Sequence, residues 1–216
     1  MMSRSEFSKR WADSSFVEAS ASLLNRVFAE KTAVINVDLR GIVVGLDDAM
    51  PALVRSDFQD VEFQEVDLSF GKFSCAFSRG VFKDCHFDGV DFDTCRFKDA
   101  KFFGCSFEKV QLESPILDDA EFVDCVFLGT VIRGRGYNEY GGRRVRFERC
   151  RFQGSRFQNL QLRGAKFIDC EFGEARFKKC LLAGVSITGS GLAVEQLDDC
   201  EISQTTINGT QISPNR

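Results

Sequence analysis

The sequence has little of what enzymes, zinc proteins and membrane proteins need. It holds one histidine, His86, no Cys-x-x-Cys pair, and no apolar run near the ~20 residues of a transmembrane helix. The HExxH, P-loop and GxSxG motifs are absent, as is a GxGxxG motif followed by a helix. The N-terminus carries charges without an apolar segment behind them, so we expect no secretory signal. We therefore expect no catalytic, metal or cofactor site and no membrane span.

Neither sign of charge dominates the chain as a whole, since the formal net charge is −4. The distribution is nevertheless uneven. Residues 56–125 carry a net charge of −9 and residues 126–216 a net charge of +5, whereas residues 1–55 balance. This segregation predicts a molecule that is acidic in its first part and basic in its second.

What the sequence does have is phenylalanine, 23 residues in all, and most of them follow a spacing of five. From Phe77 to Phe127 every fifth residue is Phe or Leu, and a small or compact residue stands two positions before each. The spacing continues to Ile132 and resumes from Phe147 to Ile212. The large residues of the first stretch are Phe77, Phe82, Phe87, Phe92, Phe97, Phe102, Phe107, Leu112, Leu117, Phe122 and Phe127.

A period of five fits neither a helix nor a flat strand. Five residues advance about 500° along a helix, so the large side chains would spread around its axis. On a flat strand an odd period would place them on alternate faces. The pattern fits a chain that turns after every five residues, with four faces to a coil of twenty. Successive coils would then stack about 4.8 Å apart, held by backbone hydrogen bonds.

Short units such as Val66-Asp67-Leu68 and Val90-Asp91-Phe92 resemble those of pentapeptide-repeat proteins, whose usual unit is Ala-Asp/Asn-Leu-x-x. The resemblance covers about residues 51–214. It implies an all-β fold, a right-handed quadrilateral β-helix, here with an N-terminal α-helical cap. The chain then divides into residues 1–50, which form a tail, a capping helix and an irregular first coil, and residues 51–216, which form the β-helix.

All nine cysteines fall in the position of the small residue, two before a large one. Free Cys behaves as a small buried hydrophobe, and an odd count forbids complete pairing within the chain. We therefore predict buried thiols in a reducing cytoplasm. Spacing alone leaves open a disulfide between residues on successive coils, such as Cys85 and Cys105.

The N-terminal region predicts a helix that covers the first coil. Ser15 and Glu18 have the spacing of a capping box, and apolar residues follow at helical spacing to about Glu30. Residues 34–46 are strand-like and predict the first coil. A solenoid exposes an apolar end and unpaired strand edges, so capping is the favoured role. A partner-binding helix is the alternative.

Two interruptions of the repeat stand out. The step from Phe73 to Phe77 is one residue short, which predicts an irregular corner near residues 71–75. Residues 133–144 break the pattern, because Arg135 and Tyr140 would occupy small positions and Gly142 a core position. We therefore predict a loop of ten to twelve residues that projects from the rod. Its candidate binding residues are Arg133, Arg135, Tyr137, Tyr140, Arg143 and Arg144.

A non-catalytic protein-binding scaffold is the favoured function. The resemblance implies an alternative, since some pentapeptide-repeat proteins are acidic rods that protect DNA gyrase and topoisomerase IV from quinolones or peptide poisons. The small net charge and basic second half depart from that pattern, and no C-terminal helix is evident. The candidates for an acidic surface are Asp57, Glu62, Asp67, Asp91, Asp93, Asp118, Asp119 and Glu121.

Nucleic-acid binding is a further alternative, because arginine is dense after residue 142. The outward position of these residues in the repeat equally fits an ordinary solvated surface. The arginines concerned are Arg143, Arg144, Arg146, Arg149, Arg151 and Arg156.

The last coil predicts a homodimer through the C-terminal end. Its strand edges have no further coil to pair with, and its outward residues are uncharged. The resemblance implies the same arrangement, since related proteins dimerise through their C-terminal ends. The candidate edge residues are Thr205, Ile207, Thr210 and Ile212.

Overall fold

The chain winds into a right-handed quadrilateral β-helix. The computed structural model describes residues 7, 9–30, 33–46, 57–135 and 141–213. The first face of each coil belongs to a ten-stranded sheet, parallel except at its last pair. In spatial order its strands are β1 (Val34–Ile35), β3 (Glu62–Gln64), β5 (Val81–Lys83), β7 (Lys101–Phe103), β9 (Glu121–Val123), β11 (Arg146–Glu148), β13 (Lys166–Ile168), β16 (Ser186–Thr188), β19 (Thr205–Ile207) and β20 (Thr210–Ile212).

The third face is an eight-stranded parallel sheet. Its strands, in spatial order, are β2 (Val43–Val44), β4 (Lys72–Phe73), β6 (Asp91–Asp93), β8 (Gln111–Glu113), β10 (Val131–Arg133), β12 (Arg156–Gln158), β14 (Arg176–Lys178) and β17 (Leu197–Asp198). The second and fourth faces are mostly single bridges between coils, such as His86 to Ser106 and Arg96 to Ile116. On the fourth face β15 (Leu181–Ala183) also pairs with β18 (Glu201–Ser203). A 3-10 helix, η1 (Val194–Gln196), precedes β17.

Phenylalanine rings stacked from coil to coil fill the interior. The rings of Phe87, Phe107 and Phe127 are parallel within 5°, with centroids 4.9 Å apart. Phe102 and Phe122 stack at 4.8 Å in the adjacent column, and Phe102 meets Phe107 edge to face at 5.4 Å. All these side chains are buried. Such aromatic pairs contribute roughly 0.5–1.5 kcal/mol beyond the burial of their area.

Left-handed backbone at the corners lets the chain turn after each short face. Asp99, Asp119 and Asp124 have φ between 56° and 60°, a region that Asp and Asn enter more readily than most residues. Gly104 takes the same role with φ of 63°. Asp124 and Gly104 directly follow strands, whereas Asp99 and Asp119 stand two residues before the next strand, so both kinds of corner favour a small or polar residue.

The short pentamer is confirmed by the register. Phe73 pairs with Phe92, nineteen residues on, whereas Ala76 pairs with Arg96, twenty residues on. One residue is thus missing from the corner between the third and fourth faces of that coil.

The small position lines the core with cysteine, and all nine cysteines are free thiols. Seven are buried, while Cys75 and Cys200 are partly exposed, contrary to the prediction that all nine are buried. Each buried Sγ donates to backbone carbonyls, as Cys105 does to Phe82 O at 3.4 Å. Cys200 is partly exposed because no further coil stacks on it within the described residues.

The N-terminal helix α1 (Ser14–Glu30) is capped by Asp13, not by Ser15. Asp13 Oδ1 accepts hydrogen bonds from Ser15 N at 2.9 Å and from Ser15 Oγ at 2.7 Å, which lowers the pKa of Asp13. The predicted capping box is therefore wrong, because a carboxylate one residue before the helix satisfies its free amides. Leu24 and Val27 of α1 are buried in the same core as the coils.

Two aromatic residues before α1 attach this region to the first coils. The Phe7 ring stacks on that of Phe70 with centroids 5.4 Å apart. Trp11 Nε1 donates to Arg40 O at 2.8 Å.

Substituting Phe92 by Ala should lower the free energy of unfolding by about 3–5 kcal/mol, the usual cost of removing a packed aromatic. Its ring stacks on Phe73 at 5.5 Å and meets Phe97 edge to face at 5.2 Å. Asp93→Ala, at the exposed neighbouring position, is the control and should cost below ~0.5 kcal/mol. Urea unfolding measures both, and equal losses would show that the ring column does not carry the stability.

In the native protein a thiol reagent should modify Cys200 first. Cys200 is partly exposed, and a hydrogen bond from the Cys180 thiol lowers its pKa, so it has more thiolate than its neighbours. Burial raises the pKa of Cys75, which should follow slowly. The seven buried thiols should react only on unfolding, as mass spectrometry of partly labelled protein will show. Early labelling of Cys105 or Cys125 would contradict this order.

Candidate functional site: an insertion at one corner of the coil

The coil gains five residues at the corner between its third and fourth faces. Before the corner, Val131 pairs with Gln111, twenty residues earlier. After it, Leu117 N donates to Gly141 O, and Glu121 pairs with Arg146, twenty-five residues on. The surplus therefore lies between Arg135 and Gly141. The loop predicted over 133–144 was too long, because residues 133–135 and 141–144 belong to the coil.

Gly142 occupies the core position from which the sequence reasoning excluded it. It is buried between Leu117 of the previous coil and Leu162 of the next. A Cβ at this residue would lie 2.7 Å from Leu162 Cδ2. The exclusion was wrong because the neighbouring leucine fills the space that a large side chain fills elsewhere.

The two arginines before the insertion are fixed to neighbouring coils. Arg133 Nη1 lies 2.8 Å from Glu113 Oε1, and its Nε donates to Gln158 Oε1 at 3.0 Å. Arg135 Nε donates to Ser114 Oγ at 2.9 Å. The residues that lead into the insertion are thus held in place by these side-chain contacts.

The two arginines after the insertion are held by adjacent carboxylates. Arg143 donates from its backbone N and from Nε to Asp118, both at 2.9 Å, and the Asp118 side chain is 5% exposed. Arg144 forms a two-pronged pair with Asp119 at 2.6 and 2.7 Å, which lowers the pKa of that carboxyl group. These four arginines therefore define the base of the insertion. The other two candidates, Tyr137 and Tyr140, lie outside the described residues.

The predicted acidic surface is largely neutralised by ion pairs between coils. Asp57 accepts a hydrogen bond from the Gln59 amide, and Asp91 and Asp93 flank Phe92 on the third face, where Asp93 is exposed. The other five candidates have cationic partners: Glu62 with Lys83, Asp67 with Arg40, Asp118 with Arg143, Asp119 with Arg144 and Glu121 with Arg146. Moreover, the eight carboxylates are spread over all four faces. They do not form one acidic surface.

The predicted arginine cluster is likewise dispersed around the coil. One coil brings Arg143 and Arg144 to the fourth face, Arg146 and Arg149 to the first, Arg151 to the second and Arg156 to the third. The first four of these form ion pairs with carboxylates. Residues close in sequence thus point away from one another.

The C-terminal end differs from the predicted open coil. β20 turns back at Asn208 and Gly209 and pairs antiparallel with β19, so Ile212 does not continue the parallel coil. Thr205, predicted to face outward, is fully buried, and its hydroxyl donates to Leu182 O at 2.6 Å. It occupies the small position, as its place two residues before Ile207 indicates.

Sequence reasoning missed a groove of about 710 Å³ on the third face, near η1. Arg156, Arg176 and Lys178 line it. The available signal was the spacing of twenty between Arg156 and Arg176, which predicts direct neighbours on successive coils.

Within the described residues, no three Cys, His, Asp or Glu side chains are grouped so that they could hold a metal ion. In the same part of the chain, no helix has the length and apolar character required to cross a bilayer.

Residues 146–185 match the family described as pentapeptide repeats, in eight copies. The structure is similar to two trypsin-treated variants of QnrB1, described as a plasmid-mediated fluoroquinolone resistance protein. The TM-scores are 0.66 and 0.61, both at 15% identity. The alignments cover 84% and 81% of this chain and 92% and 91% of those chains. A comparison with curated proteins gave no significant match. The repeat match and the fold confirm the resemblance to pentapeptide-repeat proteins.

Proposed function

We propose that this protein is a non-catalytic scaffold that binds a protein partner at the corner between its third and fourth faces. The observation that carries the proposal is the change in register from twenty to twenty-five residues between β10 and Gly141. A whole pentamer is added there without disturbing the coils on either side. The cytoplasmic location stays a prediction.

The surroundings of the insertion support a binding role. Ion pairs and hydrogen bonds from Arg133, Arg135, Arg143 and Arg144 hold both of its ends. Beneath it the coil is filled by packed side chains. A segment presented on a rigid support loses less conformational entropy when it binds than one on a mobile support. Binding residues are accordingly common on loops fixed by a scaffold.

Protection of a type II topoisomerase is the second candidate function. The similarity to QnrB1 favours it as a hypothesis, although at 15% identity it bears on the fold alone. Mimicry of DNA needs a row of unpaired negative charges, and the carboxylates named above mostly pair with arginine or lysine. If this protein protects a topoisomerase, the inserted segment is therefore a better contact than the acidic surface.

Nucleic-acid binding is less favoured. Phosphate contacts need several cations on one surface, whereas the arginines after residue 142 face four directions. The pairs Arg144–Asp119 and Arg149–Asp124 also leave little net positive charge at their sites.

Deleting residues 136–140 should leave the β-helix folded and abolish partner binding, because the deletion restores the spacing of twenty. The urea midpoint should stay close to that of the intact protein, and capture of the partner bound by the intact protein should be lost. The same variant tests the second candidate in a gyrase supercoiling assay with a fluoroquinolone, where protection by the intact protein should also be lost.

Replacing residues 136–140 with five Gly and Ser residues is the matched control. It keeps the length of the insertion and removes its side chains, so it should fold but not bind. Binding by the deletion variant at the level of the intact protein would refute the proposal.

We also propose a homodimer through the C-terminal end. β17 and β18 each end their sheets among the described residues, and Ile202, Ile207 and Ile212 are only partly buried there. A second copy related by a two-fold axis would cover these edges and close the assembly.

The dimer predicts a mass of twice 24.3 kDa in sedimentation equilibrium across the micromolar range. Ser203→Lys with Thr210→Lys should dissociate it by like-charge repulsion, because both residues are exposed at that end. Lys at Thr205 would instead disrupt the fold, since Thr205 is buried. A monomer at every concentration would disprove the dimer.

A further inference from the structure

The groove on the third face lies where the regular ladder is interrupted. η1 stands in place of the start of the last strand, so β14 pairs with β17 only through Phe177 and Lys178. Gln196 fixes η1 to the previous coil, because its Nε2 donates to Gly173 O at 3.0 Å and to Ala175 O at 2.7 Å. The groove beside η1 is therefore formed by ordered backbone that hydrogen bonds hold in place.

Two arginines with the same charge are direct neighbours in this groove. Arg156 of β12 and Arg176 of β14 are paired in register on successive coils, and both side chains are exposed. Arg176 Nη1 donates to the backbone carbonyl of Glu195 at 2.9 Å, which orients its guanidinium group. Arg156 has no side-chain partner among the described residues. Like charges directly opposite one another on neighbouring strands are destabilising.

This arrangement contrasts with that of most other arginines among the described residues, although Arg96, Arg151 and Arg163 also lack a carboxylate partner there. Eight other arginines form ion pairs with carboxylates, in most cases on a neighbouring coil: Arg10, Arg40, Arg79, Arg133, Arg143, Arg144, Arg146 and Arg149. At the position between Arg156 and Arg176 the described part of the chain supplies two guanidinium groups and no carboxylate that pairs with either. An anion from outside the chain would balance them.

The shape of the groove favours a compact anion. A hollow of about 460 Å³ adjoins the two arginines at the corner by Gly154, where a Cβ would meet nothing within 4 Å. Glu195, Asp198 and Asp199 also line the groove, and Glu174 lines the adjoining hollow, so these carboxylates would repel an extended polyanion. Asp198 also lies 3.3 Å from Lys178 Nζ and neutralises that cation. Among the described residues none of the other lining carboxylates forms an ion pair with Arg156 or Arg176, so the two guanidinium groups keep N–H donors for a small anion.

We propose that Arg156 and Arg176 bind a phosphate dianion, either free or as a phosphate monoester. Two guanidinium groups match its two negative charges, and each offers a fork of N–H donors to its oxygens. The site is independent of the proposed scaffold function, because its residues lie on the third face near η1 and not at the insertion.

Calorimetric titration of the intact protein at pH 8 with inorganic phosphate and with O-phosphoserine tests the site. Both should bind, with heat beyond that given by chloride at matched ionic strength. Arg156→Gln and Arg176→Gln should each weaken binding by about tenfold or more, the loss expected for one charge-assisted contact. Tighter binding of phosphoserine than of phosphate would identify a monoester as the ligand, and the reverse order would identify the free ion.

Arg163→Gln is the matched control, since Arg163 is exposed on the fourth face outside the groove and should leave binding unchanged. At low ionic strength without phosphate, Arg156→Gln should not unfold at a lower temperature than the intact protein, because it relieves the repulsion without removing a side-chain hydrogen bond, whereas Arg176→Gln also loses the bond to Glu195 O. Phosphate heats equal to those of chloride, or losses shared by Arg163→Gln, would overturn the proposal. So would tighter binding of duplex DNA than of either phosphate compound with the same dependence on Arg156.

Discussion

The stacking of aromatic rings from coil to coil is the constraint on which the rest of the structure depends. Rings of the column through Phe87, Phe107 and Phe127 repeat every 4.9 Å, close to the distance between paired strands. Backbone pairing and ring packing therefore demand the same rise. A change in chain length is tolerated only where it returns the next large residue to its column. The insertion after Arg135 meets this condition because it adds one whole pentamer.

The period of five was enough to predict the fold, because every fifth residue packs into the same core. The period gave wrong predictions at positions where the residue type does not fit the pattern but the backbone still follows the coil. Gly142 looked incompatible with the core, yet Leu162 occupies the space above it. Thr205 looked like a surface residue, yet its hydroxyl satisfies a buried carbonyl. In both cases a contact with the neighbouring coil decides the outcome, and the identity of the residue alone does not reveal it.

The candidate site was harder to predict for a related reason. Sequence windows group residues that follow one another, whereas a coil sends successive pentamers to four different faces. The arginines after residue 142 therefore looked like one cluster but do not form one. The pairs that do form, such as Asp119 with Arg144, join residues one coil apart. Their spacing is twenty-five because of the insertion, so the fixed period of twenty would have missed them.

Charge on this rod is best considered along columns that run from coil to coil. In the column that contains Asp119 and Arg144, opposite charges meet on adjacent coils and largely cancel. In the column that contains Arg156 and Arg176, like charges meet and do not cancel. Backbone pairing fixes the Cα atoms of Arg156 and Arg176 as neighbours. The two guanidinium groups can therefore separate only as far as the length of their side chains allows. A solenoid can thus place like charges side by side in one column, which its net charge of −4 does not reveal.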